Sequence, residues 1–344
     1  MDLKSYIGRR MLLLIPTAIG AVLILFFLLQ FLSPVERAMS FAQSPKEFAN
    51  LDLIIEKYHL NDPIHVQFYN WLVSLLHGNL GWSQTFGGPV ISAFINHIPA
   101  TAELFIFAAP LTIFAAIKMG VTSAVHHNDP TDHATRVGSI LGRAMPNFWL
   151  GLILLWLFYG VISGGLPPER LSTAVESYVN SPAFIQYTRV YTIDAILNLD
   201  LKVLIDSLRH LALPVTTLVV SSWALITRIT RSSMLNVMRR GYITTARSKG
   251  LGENIVINKH ARRNALIPVI TVTGYLVIGL ILGAFITESI FVFHGIGWFF
   301  VQAATLNDYP VVVGFTLIFV VVILLVNLAV DILYAYMDPR VRLG

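Results

Sequence analysis

The sequence predicts an all-α polytopic membrane protein with six transmembrane helices and both termini on the cytoplasmic side. Three observations predict it. The chain is 55% hydrophobic and only 12% charged over 344 residues, far from the usage of soluble domains. Six apolar runs each approach the roughly 20 residues that cross a hydrocarbon core. Lys and Arg are spread unevenly over the segments that join those runs, which is the property that reports orientation.

The runs fall at residues 11–32, 100–124, 138–162, 210–230, 267–290 and 310–336. Lys4, Arg9 and Arg10 precede the first, which places the N-terminus in the cytoplasm, and an even number of spans returns the C-terminus to that side. Seventeen Lys or Arg then fall on inside segments and seven on outside ones. The first run, Met11 to Leu32, is longer than the roughly 7 to 15 apolar residues of a signal-peptide core, so it is expected to be an uncleaved anchor.

The chain thus divides into a tail and first span (1–32), an extracytoplasmic segment (33–99) and a core (100–344) that includes the cytoplasmic loop 239–268. Within 33–99, Asp62-Pro63 starts a helix in which Ile64, Phe68, Trp71, Leu72 and Leu75 recur at helical spacing. An amphipathic helix on the outer interface is expected, with Trp71 and Trp82 as headgroup-level anchors. A packing cap over the bundle is favoured over contact with a substrate, since amphipathicity alone does not separate the two. The second outer segment, about 164–209, opens with GGLPPER and reads as polar and irregular.

Several chemistries are excluded. The absence of cysteine removes disulfides, Cys-ligated zinc, iron–sulfur clusters and thiol catalysis. GxxxxGK[ST], HExxH and GxSxG are all missing, so no enzymatic activity is expected in this chain. The run HHNDPTDH, His126 to His133, carries imidazoles and carboxylates of the kind that bind transition metals. A solvated turn between spans two and three is the stronger reading, because nothing fixes outer partners there. Glu103, Lys118, Glu288 and Asp331 lie near span ends within reach of an interface, so a carrier driven through buried carboxylates loses support. The energy is expected from outside this chain.

The segment from Arg239 to Arg263 holds seven Lys or Arg against one carboxylate, Glu253. Tyr242 to Lys249 reads as a short helix, Gly250 and Gly252 allow a sharp turn, and Glu253 to Ala265 reads as a second helix with an acidic first turn. On that helix Lys259, Arg262 and Arg263 share a face, while Ile257 and Ala261 point roughly the opposite way. Pro268 opens the fifth span. The basic count fits a loop that binds lipid headgroups. Paired helices and a glycine elbow go beyond what lipid binding requires.

The pattern Ala246, Gly250, Ile267 and Pro268 resembles the cytoplasmic coupling loop of importer permeases of the ATP-binding-cassette class. The family's EAA triplet is Thr244, Thr245 and Ala246 here; its dipeptide and oligopeptide branch commonly lacks that Glu too. RRMLLLIPTAIG, LNDPIHVQFYNWL, HGNLGWS, IPATAEL, PNFWLGL, RSSMLNVM, LNDYPVVVG and DILYAYMDPRVR are similar, in order and spacing, to the first of the two permease subunits of peptide importers. One departure is FHGIG, where His294 stands in place of the family's usual Pro.

The resemblance implies a type I importer permease fold in the cell membrane. It also implies partners: a second homologous permease that completes the pore, two ATPases that bind ATP and Mg, an extracytoplasmic binding protein, and surrounding membrane lipid. The implied ATPase-coupling residues are Tyr242, Thr245, Ala246, Lys249, Gly250, Lys259, Arg262, Arg263, Asn264 and Pro268. The basic ones would meet acidic surface on the ATPase, and Ala246 and Gly250 would be small because backbone approaches closely at the elbow. No cofactor or metal in this chain and no nucleic-acid partner is expected. Di- or oligopeptides are the favoured cargo, with oligosaccharides next and nickel or glutathione after them. An ATP-independent carrier or channel is the alternative from a different class.

Overall fold

The computed structural model describes residues 3–162 and 165–337. Helix α1 (Leu3–Leu29) is followed by four short helices, α2 (Pro34–Met39), α3 (Pro45–Phe48), α4 (Leu51–Lys57) and α5 (Ile64–Leu76), and by a hairpin of β1 (Trp82–Ser83) and β2 (Gly88–Pro89). Helix α6 (Val90–Val125) leads into α7 (Pro130–Ala144) and α8 (Asn147–Leu155), the latter continued by a π-helical turn at Trp156–Val161. Two short helices, α9 (Thr173–Val179) and α10 (Tyr191–Leu197), precede α11 (Leu201–Met238). The elbow consists of α12 (Gly241–Ser248), α13 (Glu253–Ile255), a π turn at Val256–Ala261 and α14 (Arg262–Ala265). Then come α15 (Ile267–Ile290), α16 (Ile296–Thr305) and α17 (Tyr309–Met337).

Five of these helices, α1, α6, α11, α15 and α17, are long and apolar enough to cross a membrane, and the α7–α8 pair makes a sixth only as a broken span bent by 100°. The third expected span, 138–162, thus falls on this bent pair and not on one continuous helix. Met145 and Pro146 take extended ψ values of 123° and 141°, because a proline restricts its predecessor to extended backbone and cannot continue the helix itself. The second span also starts earlier than predicted, at Val90, and the fourth runs for 38 residues.

Contacts divide the chain into two units, one built on Ala102–Phe293 with Ala329 onward, the other on Ile7–Thr101 with His294–Leu328. In the first unit, α6 and α11 pack so closely that a Cβ on Gly120 would lie 2.6 Å from the Thr230 side chain. Small residues at such crossings are what lets membrane helices approach. The outer segment of this unit is ordered rather than irregular. Leu171, Val175, Val179, Phe184, Ala195 and Val203 form a buried cluster that binds α9, α10 and the start of α11 together.

That ordered segment explains Glu103, which is only 1% exposed and so corrects the expectation that it reaches an interface. Its Oε1 accepts hydrogen bonds from the Thr192 amide at 2.7 Å and hydroxyl at 2.8 Å, and its Oε2 accepts from Arg170 Nε at 2.8 Å. Arg170 stacks on the Tyr191 ring at 4.0 Å. Both carboxylate oxygens are satisfied inside the fold, which makes the group a latch. Glu288 is likewise fully buried.

In the second unit, Phe26, Ile54, Leu60, Trp71 and Val313 form the core. Trp71 is 4% exposed with its ring 5.5 Å from that of Phe26, so it is a core residue and not a headgroup anchor; Trp82 is half-buried. Two strings far apart in sequence meet here. The Asp308 carboxylate accepts from Ser83 Oγ at 2.7 Å and the Thr85 amide at 3.0 Å, and the Tyr309 hydroxyl donates to Glu36 at 2.9 Å. His294 is exposed and stands edge-on to Trp298 at 4.4 Å, while Gly295 caps α16 without a proline.

Candidate functional site

The elbow between α11 and α15 is held by a defined turn. Helix α12 ends at Ser248 with Lys249 as its cap, and Gly250 follows at φ +77°. The Leu251 amide donates to the Ala246 carbonyl at 3.4 Å and the Gly250 amide to the Arg247 carbonyl at 2.9 Å. This pair of bonds, with a left-handed residue just past the cap, is a Schellman motif. Nothing lies within 4 Å of a Cβ built on Gly250. Glycine is required by backbone conformation, and the expected close backbone approach is corrected accordingly.

Gly252 then restarts the chain in an extended cap, its carbonyl accepting from the Ile255 and Val256 amides. Glu253 occupies the first turn of α13, where a carboxylate favours the helix dipole. It is also paired across the turn with Arg247, through bonds of 2.5 and 3.1 Å. The Arg247 guanidinium holds the Glu253 carboxyl below its ordinary value. A carboxylate depressed on folding stabilises the closed turn above its unfolded pKa, and the contribution is lost as pH falls through the lower folded value. Hydrogen-exchange protection factors at residues 250–253, corrected for the intrinsic rate at each pH, should therefore be flat between pH 6 and 8 and fall, relative to Glu253→Gln, below about pH 4.5. An identical profile in the two proteins would remove the ion pair from the turn.

One face of the elbow is buried. Ile243, Ala246, Val256, Ala261 and Ala265 pack with Ala124 of α6 and Met234 of α11, and Ser233 Oγ donates to the Ala265 carbonyl at 2.7 Å. Ala246 is small because it sits inside this cluster at 7% exposure. The other face is open: Tyr242, Thr245, Lys249, Lys259, Arg262, Arg263 and Asn264 are all exposed. Pro268 lies in the first turn of α15, where its missing amide costs nothing. The predicted residues thus gather on one elbow, with Ala246 beneath the surface that the others form.

A second feature lay outside the sequence reading. Asp132, in the supposed solvated turn, is fully buried. It accepts from Arg231 Nε at 2.6 Å and a second guanidinium nitrogen at 2.7 Å, from Ser123 Oγ at 2.5 Å and from the Asn128 amide at 3.1 Å. His126, His127 and His133 remain exposed. The bridge ties α6, α7 and α11 together near the elbow. Its local signal was the helix start Asp129-Pro130, with an acidic residue in the first turn.

Five or six apolar helices that carry a basic elbow define a multi-pass membrane protein. The family described as binding-protein-dependent transport system inner membrane component matches residues 110–343, and the chain belongs to that family. It is 36% identical over 340 residues to the dipeptide transport system permease protein of Alkalihalophilus pseudofirmus, covering 98% of this chain and 99% of that one. It is 36% identical over 342 residues to an oligopeptide transport system permease protein of Bacillus subtilis, covering 99% and 100%. It is 37% identical over 341 residues to a di/tripeptide transport system permease protein of Pseudomonas aeruginosa, covering 98% of each. The family is one of transport permeases and not of catalytic enzymes, and its members are inner-membrane components.

Proposed function

We propose that this chain is one half of the translocation pore of an ATP-driven importer of di- or oligopeptides, paired with a second permease, two ATPases and an external binding protein. The observation that carries the reading is the elbow: a turn locked by Gly250, anchored on α6 and α11 through its apolar face, presenting Lys249, Lys259, Arg262 and Arg263 outward. A rigid, basic projection fixed to the helix bundle is suited to passing an ATPase movement into that bundle, with charge setting register more than affinity. The excess of Lys and Arg on the elbow side supports a cytoplasmic location. ATP and Mg would be held by the ATPases and not by this chain. The printed names of the full-length relatives favour peptides over oligosaccharides as cargo.

Purification in mild detergent followed by reconstitution tests this reading. A second permease and ATPase subunits should accompany the chain, and peptide uptake should require both ATP and the binding protein. Uptake by the chain alone, indifferent to ATP, would establish a self-sufficient carrier instead.

A further inference from the structure

A groove of about 520 Å³ lies between α7 and α11 and is lined by Arg136, Arg143 and Arg228, together with Ser139 and Thr227. Among the described residues these three arginines have no carboxylate partner, unlike Arg231 beside them, which is taken by Asp132. The Ser139 hydroxyl donates to its own helix, at the Thr135 carbonyl 2.7 Å away. Thr227 differs: it is 1% exposed and its Oγ1 has no hydrogen-bond partner. Three guanidinium groups without a carboxylate partner and an unspent buried hydroxyl thus line one groove, a combination suited to a tetrahedral oxyanion, since guanidinium forks match phosphate geometry.

The position of the groove identifies the source of that anion. On α11 no Asp, Glu, Lys or Arg occurs from residue 210 to 227, a stretch of about 27 Å, close to the thickness of a hydrocarbon core. Arg228 is the first charge beyond it and so stands at headgroup level on the elbow side. Next to the arginines, α7 presents Val137, Ile140 and Leu141 at 56, 68 and 53% exposure, an apolar wall suited to an acyl chain. We propose that this groove is a binding site for the phosphate headgroup of an acidic phospholipid. Basic pockets between membrane helices bind anionic headgroups in this way.

Native mass spectrometry of the full-length chain, with its copurifying subunits, tests the site by titration with phosphatidylglycerol, phosphatidylcholine and inorganic phosphate. The wild type should retain phosphatidylglycerol at least about tenfold better than phosphatidylcholine. Combined Arg136→Gln, Arg143→Gln and Arg228→Gln should abolish that preference. Thr227→Val, which preserves shape and leaves the ion pair intact, should weaken retention about threefold or more and decides the matter if the triple variant misfolds. Arg262→Gln with Arg263→Gln at the elbow removes charge elsewhere and should leave retention unchanged. Equal retention by wild type and Thr227→Val, or equal loss in the elbow variant, would overturn the site. Displacement of the lipid by millimolar inorganic phosphate, or exclusion of lipid from the assembled complex by a protein neighbour on this face, would overturn the lipid assignment.

Discussion

Gly250→Val should uncouple transport from ATP hydrolysis while leaving membrane insertion intact. The native φ of +77° lies in the left-handed region, where a non-glycine residue costs about 1–2 kcal/mol and a β-branched one is a conformational outlier. Escaping that strain means giving up the two bonds of the Schellman turn, each worth about 1 kcal/mol. The opened turn lacks those bonds in either protein, so the strain alone sets the shift, and about 1–2 kcal/mol lowers the population of the formed elbow on the order of 5- to 30-fold. Because no neighbour lies within 4 Å of the added Cβ, the effect at that atom is conformational and not a clash with a neighbour. Gly250→Asn supplies the control, since Asn tolerates the left-handed region: it should keep most of the coupling. Peptide uptake and ATP hydrolysis in proteoliposomes measure both variants, and membrane-fraction yield measures insertion. Wild-type coupling in the Val variant would show that the formed turn does not transmit the ATPase step.

The same glycine shows how far the sequence could be read. A helix, a glycine and an acidic restart are all local signals, and they placed both arms of the elbow. What they did not show was why glycine is there, because φ and close approach leave the same letter in a sequence. Trp71 poses the matching problem at the level of packing. Helical spacing gave α5 its apolar face, but the partner on that face, Phe26, comes from the first span, and periodicity says nothing about what covers a face. The bend in the third span was hidden for another reason: Pro146 sits inside a run that hydropathy scores as continuous, and hydropathy has no term for backbone restriction. The strings HGNLGWS and LNDYPVVVG carried the resemblance separately, and only the fold shows Ser83 and Asp308 as bonded partners across 225 residues.

The buried bridge between Asp132 and Arg231 had the weakest signal of all, spanning 99 residues, and it supports the second large effect. Asp132→Ala removes the carboxylate that receives two guanidinium bonds and the buried Ser123 hydroxyl, leaving a guanidinium that is only 19% exposed without its counter-charge. Breaking one side of such a pair costs about 3–5 kcal/mol, most of it the penalty of an uncompensated charge. For a chain of 344 residues the thermal midpoint in detergent should fall by roughly 4–7 °C. Asp132→Leu combined with Arg231→Met replaces the pair by apolar groups and should recover most of that loss, because desolvation of both ions then disappears together. The cycle is completed by Asp132→Leu alone, which strands the guanidinium as Asp132→Ala does, and by Arg231→Met alone, which strands the carboxylate and should be about as damaging. Additive losses in the double variant would mean that the two side chains act independently. Since the bridge joins α7 to α6 and α11 beside the elbow's apolar anchor, the single variants should also lose ATP-driven uptake. The apolar double variant should regain uptake along with its thermal midpoint, which separates a mechanical role of the bridge from a requirement for charge at this position.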